Sequence, residues 1–241
     1  AVAYVRKRLK NRDLHTVTKE EFKRIVEDAS DYILELANRV EAYKDMGTTF
    51  TAAIIREKTA IIAHIGDSRA YLLRDGKLMR LTTDHSYVQH LIDTKRINEV
   101  EARNHPQRNV VMRVLGDFDI DAHPDISIRR AEAGDRLLLC SDGLCGVLED
   151  STIEETLSHF TDPEECAQTL VSMALKAGST DNVSAVIADS TIALDADSFD
   201  LPHQTPLIGG AASATLEPIA DIIHEPVASA PALITRSSPA E

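Results

Sequence analysis

Apolar side chains recur at three-and-four spacing between Glu21 and Tyr43, at Phe22, Ile25, Val26, Ala29, Ile33, Leu36, Ala37 and Val40, with charges on the opposite face. The pattern predicts an amphipathic helix. Thr18 followed three residues later by Glu21 predicts that it opens in a capping box. Ala1 to Leu9 reads as another helical segment. The periodicity then changes. Thr48–Arg56, Thr59–His64 and Arg69–Arg74 are short β-branched runs, and Asp75-Gly76 is a hairpin turn into Lys77–Thr82. These four runs predict an antiparallel meander. They are apolar almost throughout, so both faces should be covered, one by a second sheet and the other by helices.

Helical patterning returns at Ser86–Ala102 and leads into His105-Pro106 and a short apolar piece, Val110–Leu115, closed by Gly116-Asp117. Strands are predicted again at Asp125–Arg130, Arg136–Cys140 and Val183–Ala188, with helices near Ser151–Ser158 and Pro163–Ala177. The fold class expected is α+β, a four-layer α-β-β-α sandwich of two antiparallel sheets flanked by helices. Beyond Thr191 the pattern stops. Six of the nine prolines fall there among Ala and Ser without periodicity, which predicts a domain over 1–190 and a disordered acidic tail over 191–241.

Composition narrows the function classes. The aromatic fraction is 4% with no Trp, so the core must be aliphatic. Lys and Arg number 26 against 39 Asp and Glu, a net charge of -13 that disfavours nucleic acid and anionic lipid as partners. The basic group Arg6, Lys7, Arg8, Lys10 and Arg12 is read as a solvated helix face. Cys140, Cys145 and Cys166 form neither an even set nor a Cys-x-x-Cys pair, so reduced thiols are expected instead of a disulfide framework or zinc site. No run approaches the roughly 20 apolar residues of a membrane span. A cytoplasmic monomer is the expectation, with tethering through sequence beyond Glu241 left open.

Candidate chemistry lies where strands end. Gly66-Asp67-Ser68-Arg69, Thr83-Asp84-His85-Ser86, Ser141-Asp142-Gly143 and Thr180-Asp181-Asn182 each put an Asp at such a point. Taken singly, each is an ordinary turn, since Asp, Asn, Ser and Gly satisfy local backbone groups. Together they say more. Arg136–Cys140 is a buried strand that delivers Asp142 at its end, and Asp181 precedes another, so two carboxylates could converge on one hard cation such as Mg²⁺ or Mn²⁺. His64 is read as packing and His85 as making a local helix-start hydrogen bond.

Order adds specificity. Met46-Gly47-Thr48-Thr49, His64-Ile65-Gly66-Asp67-Ser68-Arg69, Asp84-His85-Ser86, Gly134 to Leu144 and Thr180-Asp181-Asn182-Val183 resemble, in sequence and order, the PPM family of metal-dependent Ser/Thr protein phosphatases (type 2C), especially its bacterial branch. The resemblance implies that Asp142 and Asp181 bind one ion of a dinuclear Mn²⁺/Mg²⁺ centre, and that Asp67 is a ligand of a weaker third metal. It implies direct hydrolysis of phosphoserine and phosphothreonine by a metal-activated water. It also implies a flap over about 86–109 and phosphorylated proteins as partners, in signalling with a bacterial Ser/Thr kinase. Nothing resembles a Cys-x5-Arg loop. Members begin with a strand carrying a phosphate-gripping Arg and then Asp-Gly-x-Gly-Gly, neither of which occurs before Met46. An N-terminally incomplete domain lacking its first strands is therefore expected, with a non-catalytic phosphatase-like binding module as the alternative.

Overall fold

The computed structural model describes residues 1–56, 58–117 and 122–191, with the backbone of Gly209 and Gly210. Helices α1 (Val2–Leu9) and α2 (Lys19–Arg39) come first. β1 (Phe50–Arg56), β2 (Thr59–Ile65) and β5 (Asp125–Arg130) form one antiparallel sheet in the order β1-β2-β5. β4 (Lys77–Arg80), β3 (Arg69–Arg74), β6 (Arg136–Cys140), β7 (Ser184–Asp189) and β8 (Gly209–Gly210) form the other, in that order. The tail expected over 191–241 otherwise lies outside the described residues.

Each sheet carries helices on one face. Phe22, Ile25, Val26, Ala29 and Ile33 of α2 pack on Phe50, Ile54, Ile61, Ala63 and Ile65. Burying each of the larger of these side chains contributes roughly 1.5–3 kcal/mol. Across the molecule, α6 (Asp150–His159) and α7 (Pro163–Lys176) set Ile153, Leu157, Leu170 and Ala174 against Tyr71, Leu73 and Leu138 of the second sheet. Ile55 and Ala60 of one sheet and Leu72 and Leu137 of the other line a small cavity together. The four layers expected from the sequence are present. Arg136 fastens one of them: it donates to Asp189 and to the carbonyls of Leu157, Phe160 and Thr161, where α6 ends.

Three local expectations need correction. β1 to β4 are not one meander: β2 and β3 do not pair, and the chain changes sheets between Ile65 and Arg69. Gly66 makes that crossing at φ +111°, where a Cβ would stand 2.4 Å from the Thr49 side chain, so only glycine fits. At the start of α2, Thr18 accepts from the Glu21 N–H at 3.1 Å, but the Glu21 carboxylate pairs with Arg12 and does not close the box. The reciprocal box forms instead between Asn98 and Glu101. Lastly, the single helical stretch expected after Ser86 is two short helices, α3 (Tyr87–Asp93) and α4 (Glu99–Arg103).

Candidate metal centre

Strand register places the acidic residues. Arg69 pairs with Cys140 at the last rung between β3 and β6, so Asp67 and Asp142 each stand two residues beyond that rung, on the same edge. Cys140 pairs in turn with Ala185 of β7, and the chain entering β7 carries Asp181 at this edge. Neighbouring strands lie about 4.8 Å apart, so three adjacent strands bring three carboxylates to one rim.

The loops bearing Asp142 and Asp181 are stitched together. Ser141 Oγ donates to the Asn182 carbonyl at 2.9 Å and accepts the Ser184 N–H at 3.0 Å. Asp142 accepts the N–H of Gly143 at 2.9 Å, and Asp181 that of Asn182 at 2.7 Å. Gly143 has no space to spare: a Cβ there would lie 2.5 Å from the Asn182 carbonyl oxygen.

Asp67, Asp142 and Asp181 line a single open cavity of about 360 Å³. Among the described residues no Lys, Arg or His is in salt-bridge contact with any of them. Burial pushes the Asp67 carboxyl up to about 6, with the charges of Asp142 and Asp84 adding to the rise. Asp142 is raised as well, by burial first and then by Asp181. Asp67 is buried, Asp142 half-buried and Asp181 exposed, and an all-oxygen donor set of this kind suits a hard cation. Among the described residues no three His, Cys, Asp or Glu side chains stand close enough to enclose an ion.

Asp84, which shares this cavity, is already committed. Arg69 grips it with Nε and Nη2, at 3.0 and 2.7 Å to its two oxygens, and Arg80 donates to it too. Arg69 also donates to Tyr71 Oη at 3.0 Å, and Tyr71 donates to Asp150 at 3.1 Å. Two guanidinium groups against one carboxylate leave a net positive charge on this wall, facing the acidic rim.

His85 departs from its expected local role. Its Nδ1 accepts the N–H of Gly66 at 3.1 Å, and its Nε2 lies 3.1 Å from Asp125 on the other sheet and 2.9 Å from Arg113. His64 is packed as expected, bonded to Thr51 at 3.0 Å and to the Thr83 carbonyl at 3.0 Å. Arg113 and Asp125 escaped the sequence reading because they sit in segments with no motif. Asp84 was visible as a motif, but its arginine partners were not.

The model of protein phosphatase 2C matches residues 3–183. The chain belongs to the protein phosphatase 2C family. The Ser/Thr protein phosphatase PstP of Mycobacterium tuberculosis is 42% identical over 181 residues, covering 74% of this chain and 34% of PstP. The Ser/Thr phosphatase stp of Listeria monocytogenes is 33% identical over 167 residues, 69% of this chain and 66% of that protein. The chain thus spans about a third of PstP and just under two thirds of stp. A crystal structure of PstP superposes with TM-score 0.74 at 37% identity, covering 79% of this chain and 80% of that one. Another, of the PstP catalytic domain in complex with two manganese ions, gives 0.71 at 34% identity and 79% of each chain. The family and the sandwich read from the motifs are both upheld.

Proposed function

We propose that this chain hydrolyses phosphoserine and phosphothreonine esters on proteins with Mn²⁺ or Mg²⁺, held by Asp142, Asp181 and Asp67. The observation that carries the reading is the rim of three carboxylates that no Lys, Arg or His salt-bridges among the described residues, on adjacent strands of one cavity. Asp142 and Asp181, on stitched loops, take one ion between them, and Asp67 takes a more weakly held one. When bound, such ions make a water nucleophilic at neutral pH and neutralise phosphoryl oxygens. The chain's own contribution is positioning. Asp84 and Tyr71 fix the Arg69 guanidinium, and with Arg80 it draws the phosphate dianion toward the rim. Gln89 and Arg103, from α3 and α4, line the mouth, where a phosphorylated segment can lie.

The substrates in this reading are phosphoproteins made by a bacterial Ser/Thr kinase; the similarity to PstP and stp, both Ser/Thr phosphatases, supports the class of ester. The test is Mn²⁺-dependent phosphate release from a phosphothreonine peptide by the 241-residue chain, with Mn²⁺ binding measured in parallel. Asp142→Asn should lower both at least tenfold; unchanged turnover in that variant would sink the assignment. That no three His, Cys, Asp or Glu side chains among the described residues stand close enough to enclose an ion favours a second reading, a phosphatase-like module that binds phosphoproteins without cleaving them. Peptide binding without any turnover would select it.

A further inference from the structure

Ser141 is the N-cap of α5 (Asp142–Cys145), so Cys140 stands one residue before the cap and Cys145 at the fourth helical position. In a hydrophobic staple those two positions face each other across the first turn. Both cysteines are free and buried, and they share a core with Leu144, Tyr71 and Ala185. The neighbouring Cys145 thiol, with burial, holds the pKa of the Cys140 thiol well above its ordinary value. Cys145 also lines the cavity that holds the three carboxylates, and Arg69 lies within electrostatic reach of it. Cys166, on α7, is enclosed and directs its sulfur at the Thr156 carbonyl 3.6 Å away.

We propose that Cys140 and Cys145 are an oxidative modification site, closed by a peroxide into a disulfide that spans the Asp142 loop. Hydrogen peroxide, small enough to enter the cavity, oxidises the Cys145 thiol to a sulfenic acid and leaves as water. The Cys140 sulfur then attacks the Cys145 sulfur. The S–S bond forms, the S–O bond breaks, and the oxygen departs as a second water with the Cys140 proton. Two thiols thereby pass two electrons to one peroxide.

The bond has a structural consequence because Asp142 lies inside the bridged segment. Drawing the two sulfurs together to about 2.05 Å pulls the first turn of α5 toward the end of β6. Gly143 in that turn already abuts the Asn182 carbonyl, so the movement alters the spacing of Asp142 and Asp181. Oxidation should therefore loosen ion binding. That consequence rests on the proposed ligand role of Asp142; the disulfide itself does not.

The full chain would be treated with hydrogen peroxide, its remaining thiols alkylated, and its peptides mapped by mass spectrometry, with Mn²⁺ affinity measured before and after. The expected product is a Cys140–Cys145 crosslink within one chain, two hydrogens lighter, with Cys166 alkylated and reversal by dithiothreitol. Crosslinks between chains, a Cys145 sulfinic acid without a crosslink, or unreacted thiols would overturn the proposal. Mn²⁺ affinity should fall at least tenfold on oxidation and recover on reduction, while Cys145→Ser keeps its affinity under the same treatment. A crosslink that leaves Mn²⁺ affinity unchanged refutes the effect on the ion site. Absence of Mn²⁺ binding even by the reduced protein refutes the ligand assignment and leaves the modification site standing.

Discussion

Asp125 holds the imidazole of His85 from 40 residues away, with 3.1 Å between Oδ2 and Nε2. The far nitrogen, Nδ1, accepts the Gly66 N–H, while Nε2 stands between Asp125 and the Arg113 guanidinium, 2.9 Å from the latter. One sheet thereby fixes a peptide in the loop that enters the other and carries Asp67.

His85→Ala leaves the buried Gly66 N–H without an acceptor, which costs about 1–3 kcal/mol. Urea denaturation should show that loss, and His85→Asn, which keeps a side-chain acceptor, should lose less. Equal losses in the two variants would mean that packing, not the hydrogen bond to Gly66, is what His85 supplies.

Asp67 predicts a pH-dependent gain from its own removal. Its folded-state carboxyl is raised to about 6 from the ordinary 3.8, so the ionised form weakens the fold above that range and the penalty vanishes once both states are protonated. Metal-free Asp67→Asn should therefore melt higher than the native chain at pH 7.5, with the advantage gone by about pH 4. Added Mn²⁺ should stabilise the native chain more than the variant. Thermal melts across pH, with and without the ion, read both effects.

His64 acts in the opposite sense. Burial, with the nearby His85 adding to it, holds its folded pKa down at about 4, below the ordinary 6.5, so the unfolded chain binds the extra proton first. Its contribution is complete above pH 6.5 and drains away as pH falls toward about 4. His64→Gln should flatten the acid limb of stability between those values. An unaltered acid limb would show that His64 does not set it.

Gly143→Ala places a methyl group against the Asn182 carbonyl, 2.5 Å from the ideal Cβ position, and must part the loops of Asp142 and Asp181. Mn²⁺ affinity should drop roughly 10–100-fold, the range typical when groups supporting metal ligands are disturbed. Calorimetric titration checks it, with far-ultraviolet circular dichroism confirming that the fold persists.

Much of this was legible in the chain because local periodicity and burial agree. The stripe of α2, the apolar run Arg136–Cys140 and the Asp-bearing ends of β6 and β7 are all short-range signals. The failures involve competition or distance. Glu21 had two suitors, and Arg12 took its carboxylate from the capping box. Strands β2 and β3 look like hairpin partners from spacing alone, yet Gly66 turns the chain into another sheet. Asp125 and Arg113 converge on His85 only through tertiary packing. Asp142 and Asp181 could be paired in advance because both flank apolar runs, although β7, expected to be buried, is buried only at Ala185; that Asp67 lines up with them depends on the rung between Arg69 and Cys140.

That register has a mechanical meaning. Asp67, Asp142 and Asp181 hang from β3, β6 and β7, three neighbours of one sheet, like teeth along a single comb. Sliding one sheet of the sandwich over the other leaves the gaps between the teeth unchanged; coiling β3, β6 and β7 about one another opens or narrows them. The spacing of these three carboxylates is therefore governed by the twist of one three-strand ribbon.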